Sequence, residues 1–136
     1  MKRRCYTDAM KTILVDAIGA FVSKGHGINV DMQTLLDSLP NRKIILTSAN
    51  DEQCKQFGLD TMPYEVFTLK HNPDKTDPTY FTIMLDHFGL TTKENIYFEH
   101  AKAAVASAQS VGIISFYYDE AIQDLNALKH FLTENL

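Results

Sequence analysis

Short, fully apolar runs alternate with helix-length amphipathic segments along this chain, and that alternation restricts the fold more than any other feature. Ile13-Leu14-Val15 and Ile44-Ile45-Leu46 have no polar residue and read as strands buried on both faces. Glu65 to Leu69, Asn95 to Phe98 and Ile113 to Tyr117 supply three more strands, the first of them nearer an edge. Between them lie helical patterns. Asp31 can cap a short helix through Leu35, Leu36 and Leu39, closed by Pro40. Asn50 caps a helix that stops near Gly58. Asp77-Pro78 opens a helix that buries Phe81, Met84, Leu85 and Phe88, and Gly89 ends it. Ala101 to Ser110 is an alanine-rich helix ended near Gly112, and Asp119 opens a last one with Ile122, Leu125, Leu128 and Leu132 inward. Gly19, Gly25 and Gly27 mark a loop region. Strands alternating with helices imply an α/β chain with a five-stranded parallel sheet and right-handed crossovers, in a three-layer Rossmann-like sandwich.

The 136 residues suit one domain, read as residues 1–136. A formal net charge of −4 gives no support to nucleic-acid binding. The longest early apolar run, Ile13 to Val22, carries Asp16 and is too short and polar to span a membrane. The basic start Met1-Lys2-Arg3-Arg4 is followed by Tyr6, Thr7, Asp8 and Lys11, so no apolar signal core develops. Cys5 and Cys54 fit neither a disulfide framework nor a zinc site, and Cys54 reads as a small core residue on a helix. A cytoplasmic protein is expected.

Ligands of parallel sheets sit beyond the carboxyl ends of the strands. There this chain places Asp16, Thr47, Lys75 (just before the Asp77-Pro78 helix) and Glu99. Two carboxylates, a hydroxyl and an ammonium can hold a divalent cation and an anionic oxygen group together. Each also has a plainer reading. Asp16 can cap a turn, Thr47 likewise, Lys75 can be solvated surface, and Glu99 with His100 can simply favour a helix N-terminus. His26, His71, His87 and His130 show no ligand spacing and are expected on the surface, while Tyr117 and Tyr118 can line the site or pack.

The same positions carry a resemblance. Ile13 to Phe21, with Asp16-Ala17-Ile18-Gly19-Ala20, resembles the first motif of the haloacid dehalogenase superfamily, an apolar strand followed by Asp-x-Asp-Gly-Thr. Ile44-Ile45-Leu46-Thr47-Ser48 is similar to the second motif. Lys75-Thr76-Asp77-Pro78 with Tyr80-Phe81 is similar to the third, and Ile96-Tyr97-Phe98-Glu99-His100 with the small-residue helix to Gly112 to the fourth. The resemblance runs from about Lys11 onward. It implies Asp16 as nucleophile, Thr47 as binder of the transferred group, Lys75 as the cation holding both, and a magnesium ion held by Asp16, the Ile18 carbonyl and Glu99.

Departures accompany it. Ile18 stands where phosphatases of this family carry a general acid and base, a group worth roughly 10²–10⁴ in rate. Ala20 replaces the usual threonine, and His100 the usual second acid of the fourth motif. Magnesium is therefore expected to bind weakly. The segments from Asp16 to Thr47 and from Lys75 to Glu99 leave no room for a cap domain. Three functions fit: a slow magnesium-dependent phosphatase acting on a phosphorylated small molecule or macromolecule, a non-catalytic ligand- or protein-binding relative, and a metal-independent dehalogenase-like hydrolase suggested by Asp16-Ala17-Ile18-Gly19. No nucleic acid or membrane partner is implied.

Overall fold

A computed structural model describes residues 10–136. The basic start and Cys5 lie outside the described residues. Five strands form one parallel sheet in the order β5-β4-β1-β6-β7, comprising β1 (Thr12–Asp16), β4 (Lys43–Thr47), β5 (Glu65–Thr68), β6 (Asn95–Glu99) and β7 (Ile114–Tyr117). The sheet and its flanking helices are the expected Rossmann-like sandwich. β1 is central, with Leu14 beside Ile44 and Tyr97.

Successive strand residues face opposite sides of a sheet. Both sides of β1, β4 and β6 are apolar here, so both must be covered. Ile13, Val15, Ile45, Ile96 and Phe98 pack with Met32 and Leu36 of α1 (Val30–Asp37) and Leu128 and Leu132 of α5 (Leu125–Asn135). Leu14, Ile44, Leu46 and Tyr97 pack on the other face with Tyr80, Phe81, Met84 and Leu85 of α3 (Pro78–Phe88) and Ala108 of α4 (Lys102–Ser110). Phe88 closes this cluster only partly buried.

Local signals set most helix ends. The Asp77 carboxylate accepts from Thr79 N, Pro78 follows at the first helical position, and Gly89 ends α3 at φ 66°, a left-handed conformation that costs glycine little. Asn50 forms a reciprocal capping box with Gln53 at the start of α2 (Asp51–Gln56). Two expected caps are displaced. Asn29, not Asp31, caps α1 by accepting from Met32 N. The last helix begins at Leu125 under an Asp124 cap, because Asp119 instead caps a turn through Ala121 N, which leaves Ile122 70% exposed. The expected glycine loop contains a short antiparallel hairpin, β2 (Val22–Ser23) with β3 (Gly27–Ile28).

Where a cap domain would be inserted, the described residues hold only that hairpin with α1, and α3 with a short 3₁₀ turn. No helix among them is long and apolar enough to cross a membrane.

Phe81 is fully buried against the rings of Tyr80 and Tyr97. Phe81→Ala is expected to lower the unfolding free energy by about 3–5 kcal/mol in urea titration, and a loss below about 1 kcal/mol would contradict this packing.

Candidate active site

The carboxyl ends of β1 and β6 bring Asp16 and Glu99 side by side, each 0% exposed. Two carboxylates removed from water are costly unless paired and hydrogen-bonded. Lys75 supplies the pairing. Its Nζ donates to Asp16 Oδ1 at 2.6 Å, to Glu99 Oε1 at 2.8 Å and to the Leu46 carbonyl at 3.3 Å, using all three of its protons. The loop carrying it is fixed by Lys75 N donating to Ser48 Oγ at 2.9 Å and by the start of α3.

His100 closes the other side. Its Nδ1 lies 2.5 Å from Asp16 Oδ2 and 3.2 Å from Glu99 Oε2, and its backbone N–H donates to Asp16 Oδ2 at 3.1 Å. The Tyr97 hydroxyl donates to Glu99 Oε1, and Ala101 N–H donates to Glu99 Oε2 at 3.0 Å. Tyr97 and Glu99 lie two residues apart on one strand, hence on one face.

These contacts set the proton affinities. Burial pushes the Asp16 carboxyl up, Lys75 pulls it down, the Glu99 charge adds to the rise, and the net direction is upward. Burial acts on Glu99 the same way, but Lys75 and the bonds from His100, Lys75 and Tyr97 outweigh it and hold Glu99 well below the usual carboxylate range. Lys75 stays above its ordinary value, since Asp16 and Glu99 overcome the cost of burying the ammonium. His100 is pushed up to about 10, first by its bond to Asp16 and then by Glu99. Lys75 Nζ and the His100 backbone N–H both donate to Asp16, and the His100 ring nitrogen adds a third contact.

A cleft of about 260 Å³ opens over the cluster. Thr47, Lys75, Glu99 and Ile18 all border it, so the sheet edge gathers the expected residues. Asp16 lies beneath. Thr47 Oγ also accepts from Ala49 N at 3.2 Å, so it caps the turn as well as facing the cleft. Ile18 presents an apolar side chain there. Cys54 is half-buried against the core, as read from the sequence. Tyr118 is buried against Phe98 and Tyr117 stacks under Lys102, so neither borders the cleft.

Four participants were not picked out as site residues: His100, Tyr97, Ser48 and His71. His71 is on the surface, as expected, but at the cleft rim, with Nδ1 2.6 Å from Asp74 Oδ1 and Nε2 2.6 Å from Gln53 Oε1. The two-residue strand period is a signal that would have found Tyr97 once Glu99 was placed, and Ser48 simply follows Thr47. No spacing signal pointed to His71.

No family profile matches the chain, and no curated protein matches it in sequence. Solved structures do match. A haloacid dehalogenase family enzyme of Bacteroides thetaiotaomicron, an aspartate-to-alanine mutant in complex with magnesium and inorganic phosphate, superimposes with a TM-score of 0.70 at 13% identity, over 88% of this chain and 99% of that one. This chain has the haloacid dehalogenase-type fold. The core domain of a Streptococcus pneumoniae protein assigned as a phosphoglycolate phosphatase gives 0.61 at 19% identity, over 91% and 96% of the two chains. A haloacid dehalogenase-superfamily hydrolase of Geobacter sulfurreducens gives 0.52 at 22%, over 67% of this chain and 46% of that one.

Whether the donors fit magnesium can be tested on the geometry. Asp16, Glu99 and His100 place three possible ligand atoms within 4.8 Å of one another. A carboxylate offers about four lone-pair positions. Three on Glu99 are taken, by Lys75, Tyr97 and Ala101, and His100 Nδ1 stands 3.2 Å from Oε2, across the approach to the fourth. Asp16 Oδ2 is filled twice by His100. An imidazole nitrogen also suits a hard cation poorly. The arrangement does not fit magnesium without displacing His100.

Two outcomes follow from the cluster. Lys75→Met leaves two buried carboxylates without a counter-charge and is expected to cost about 3–5 kcal/mol in urea unfolding at pH 7. The cost should shrink at pH 5, where those carboxylates take up protons more readily. An equal cost at both pH values would contradict the ion cluster. His100, raised from 6.5 to about 10, contributes stability that is complete below pH 6.5 and lost as the pH climbs through 10. In chelator-treated buffer, the stability gap between wild type and His100→Gln should therefore narrow over that window, and a constant gap would show that the imidazole is not protonated in the fold.

Proposed function

We propose that this chain is a haloacid dehalogenase-like hydrolase that removes a phosphoryl group through an aspartyl-phosphate at Asp16. The observation that carries the reading is the lone-pair count on that residue. Oδ2 is filled by His100, whereas Oδ1 accepts only from Lys75 and keeps one lone pair for attack. The upward shift of the carboxyl also makes Asp16 a stronger base, and so a better nucleophile, than an ordinary aspartate. The neighbour of the same fold solved with magnesium and inorganic phosphate supports a phosphoryl ligand.

In the first step, Asp16 Oδ1 forms a bond to phosphorus as the bond from phosphorus to the leaving-group oxygen breaks. That oxygen departs with the electron pair. Thr47 and Ser48 border the phosphoryl position, and a phosphoryl oxygen replaces the long Leu46 contact on Lys75. Water then attacks phosphorus, releasing inorganic phosphate and restoring the carboxylate. Ile18 protonates nothing in either step.

A second reading has one observation in its favour. Asp16 is fully covered, and the cluster satisfies its own charges, as suits a relative that binds without catalysis.

Acetyl phosphate and p-nitrophenyl phosphate should be hydrolysed at least about a hundredfold faster than an alkyl phosphate, because only their leaving groups depart without a proton. Asp16→Asn should abolish the activity. Equal rates on alkyl and nitrophenyl esters would overturn the role given to Ile18. No Asp16-dependent turnover on any of the three would leave the binding relative as the better reading.

A further inference from the structure

We propose that the His100 side chain stands where a divalent cation would sit between Asp16 and Glu99, so that the site excludes magnesium and functions without it. The two oxygens that face each other across the site, Asp16 Oδ2 and Glu99 Oε2, are the pair a bridging cation would take. Nδ1 of His100 reaches both, at 2.5 and 3.2 Å. The remaining lone pairs of that pair accept from His100 N and Ala101 N, so the backbone at the start of α4 completes the closure.

The fold makes room for this ring. Gly19 has a φ of +105°, and a Cβ placed on it would lie 2.5 Å from His100 Cε1 and 2.6 Å from Nδ1. Those distances are far inside contact, so the imidazole lies on the bare Gly19 backbone. Any side chain at position 19 would drive the ring off the carboxylates. Gly19 and His100 therefore form one device, built from the loop after β1 and the end of β6.

A histidine does part of what a cation does. Its N–H holds the carboxylate by one oxygen, Oδ2, and leaves Oδ1 to Lys75. It differs in being covalently attached and in leaving no coordination position open. The activity arm of the test rests on the hydrolase reading; the metal-binding arm does not.

The test is titration calorimetry with magnesium chloride and with zinc chloride on wild type, His100→Ala and His100→Asp, with thermal melts confirming that each variant is folded. The wild type should show no saturable magnesium binding at millimolar concentrations. Both variants should bind, His100→Asp at least about tenfold more tightly than His100→Ala because it adds a charged oxygen ligand. If only one variant folds, its gain over wild type decides. Hydrolysis of acetyl phosphate by the wild type should be unchanged by chelator. Tight magnesium binding by the wild type, or loss of turnover on chelation, would overturn the proposal. So would zinc binding that disappears in His100→Ala, since His100 would then be a ligand. If no variant gains magnesium, His100 is not what excludes it. If acetyl phosphate is never hydrolysed, the hydrolase reading fails and the calorimetry still decides the metal question.

Discussion

Lys75 bridging two buried carboxylates is the contact on which the rest of the site depends. Asp16 and Glu99 end adjacent elements of a sheet whose interior is apolar on both sides, so neither can reach water. An unpaired charge there would destabilise the fold by several kcal/mol. The ammonium that neutralises them comes from a loop between β5 and α3, far away in sequence. That loop must therefore be anchored, and Ser48 Oγ and the Asp77 cap do so at either end of the turn. Site geometry and fold stability are one requirement here.

The apolar runs carried the sheet into view because buried parallel strands need no polar face. Their carboxyl ends then named Asp16, Thr47, Lys75 and Glu99 without any view of side chains. Side-chain hydrogen bonding was harder to see. Asp119 and Asp124 are equally good caps in sequence, and Asp31 looks no worse than Asn29. The choice is made by where Leu125, Leu128 and Leu132 must lie to reach the sheet, which is a tertiary constraint. His100 was visible only as the absence of an expected acid. Its placement depends on a glycine more than eighty residues earlier, and no local pattern reports such a contact.

The open cleft bears on what the site accepts. A family member with a cap domain encloses its substrate and excludes water. Here the described residues offer a small hairpin and the His71–Asp74–Gln53 rim instead. Under the proposed hydrolysis, selectivity would rest on contacts made by the substrate with this rim.

Ile18 and His100 look like two separate losses but are electrostatically consistent. A divalent cation brings two positive charges and can support three surrounding carboxylates alongside a lysine. A protonated histidine brings one. With Lys75 it balances Asp16 and Glu99 and nothing more. An ionised acid at position 18 would border the same cleft as a third negative charge with no partner, and so would a second acid in place of His100. An apolar residue at 18 keeps the cluster neutral. Under the proposed hydrolysis the cost would fall on proton transfer to the leaving group, so the same balance of charge that would let the site stand without a metal would also restrict it to substrates whose leaving groups need no acid.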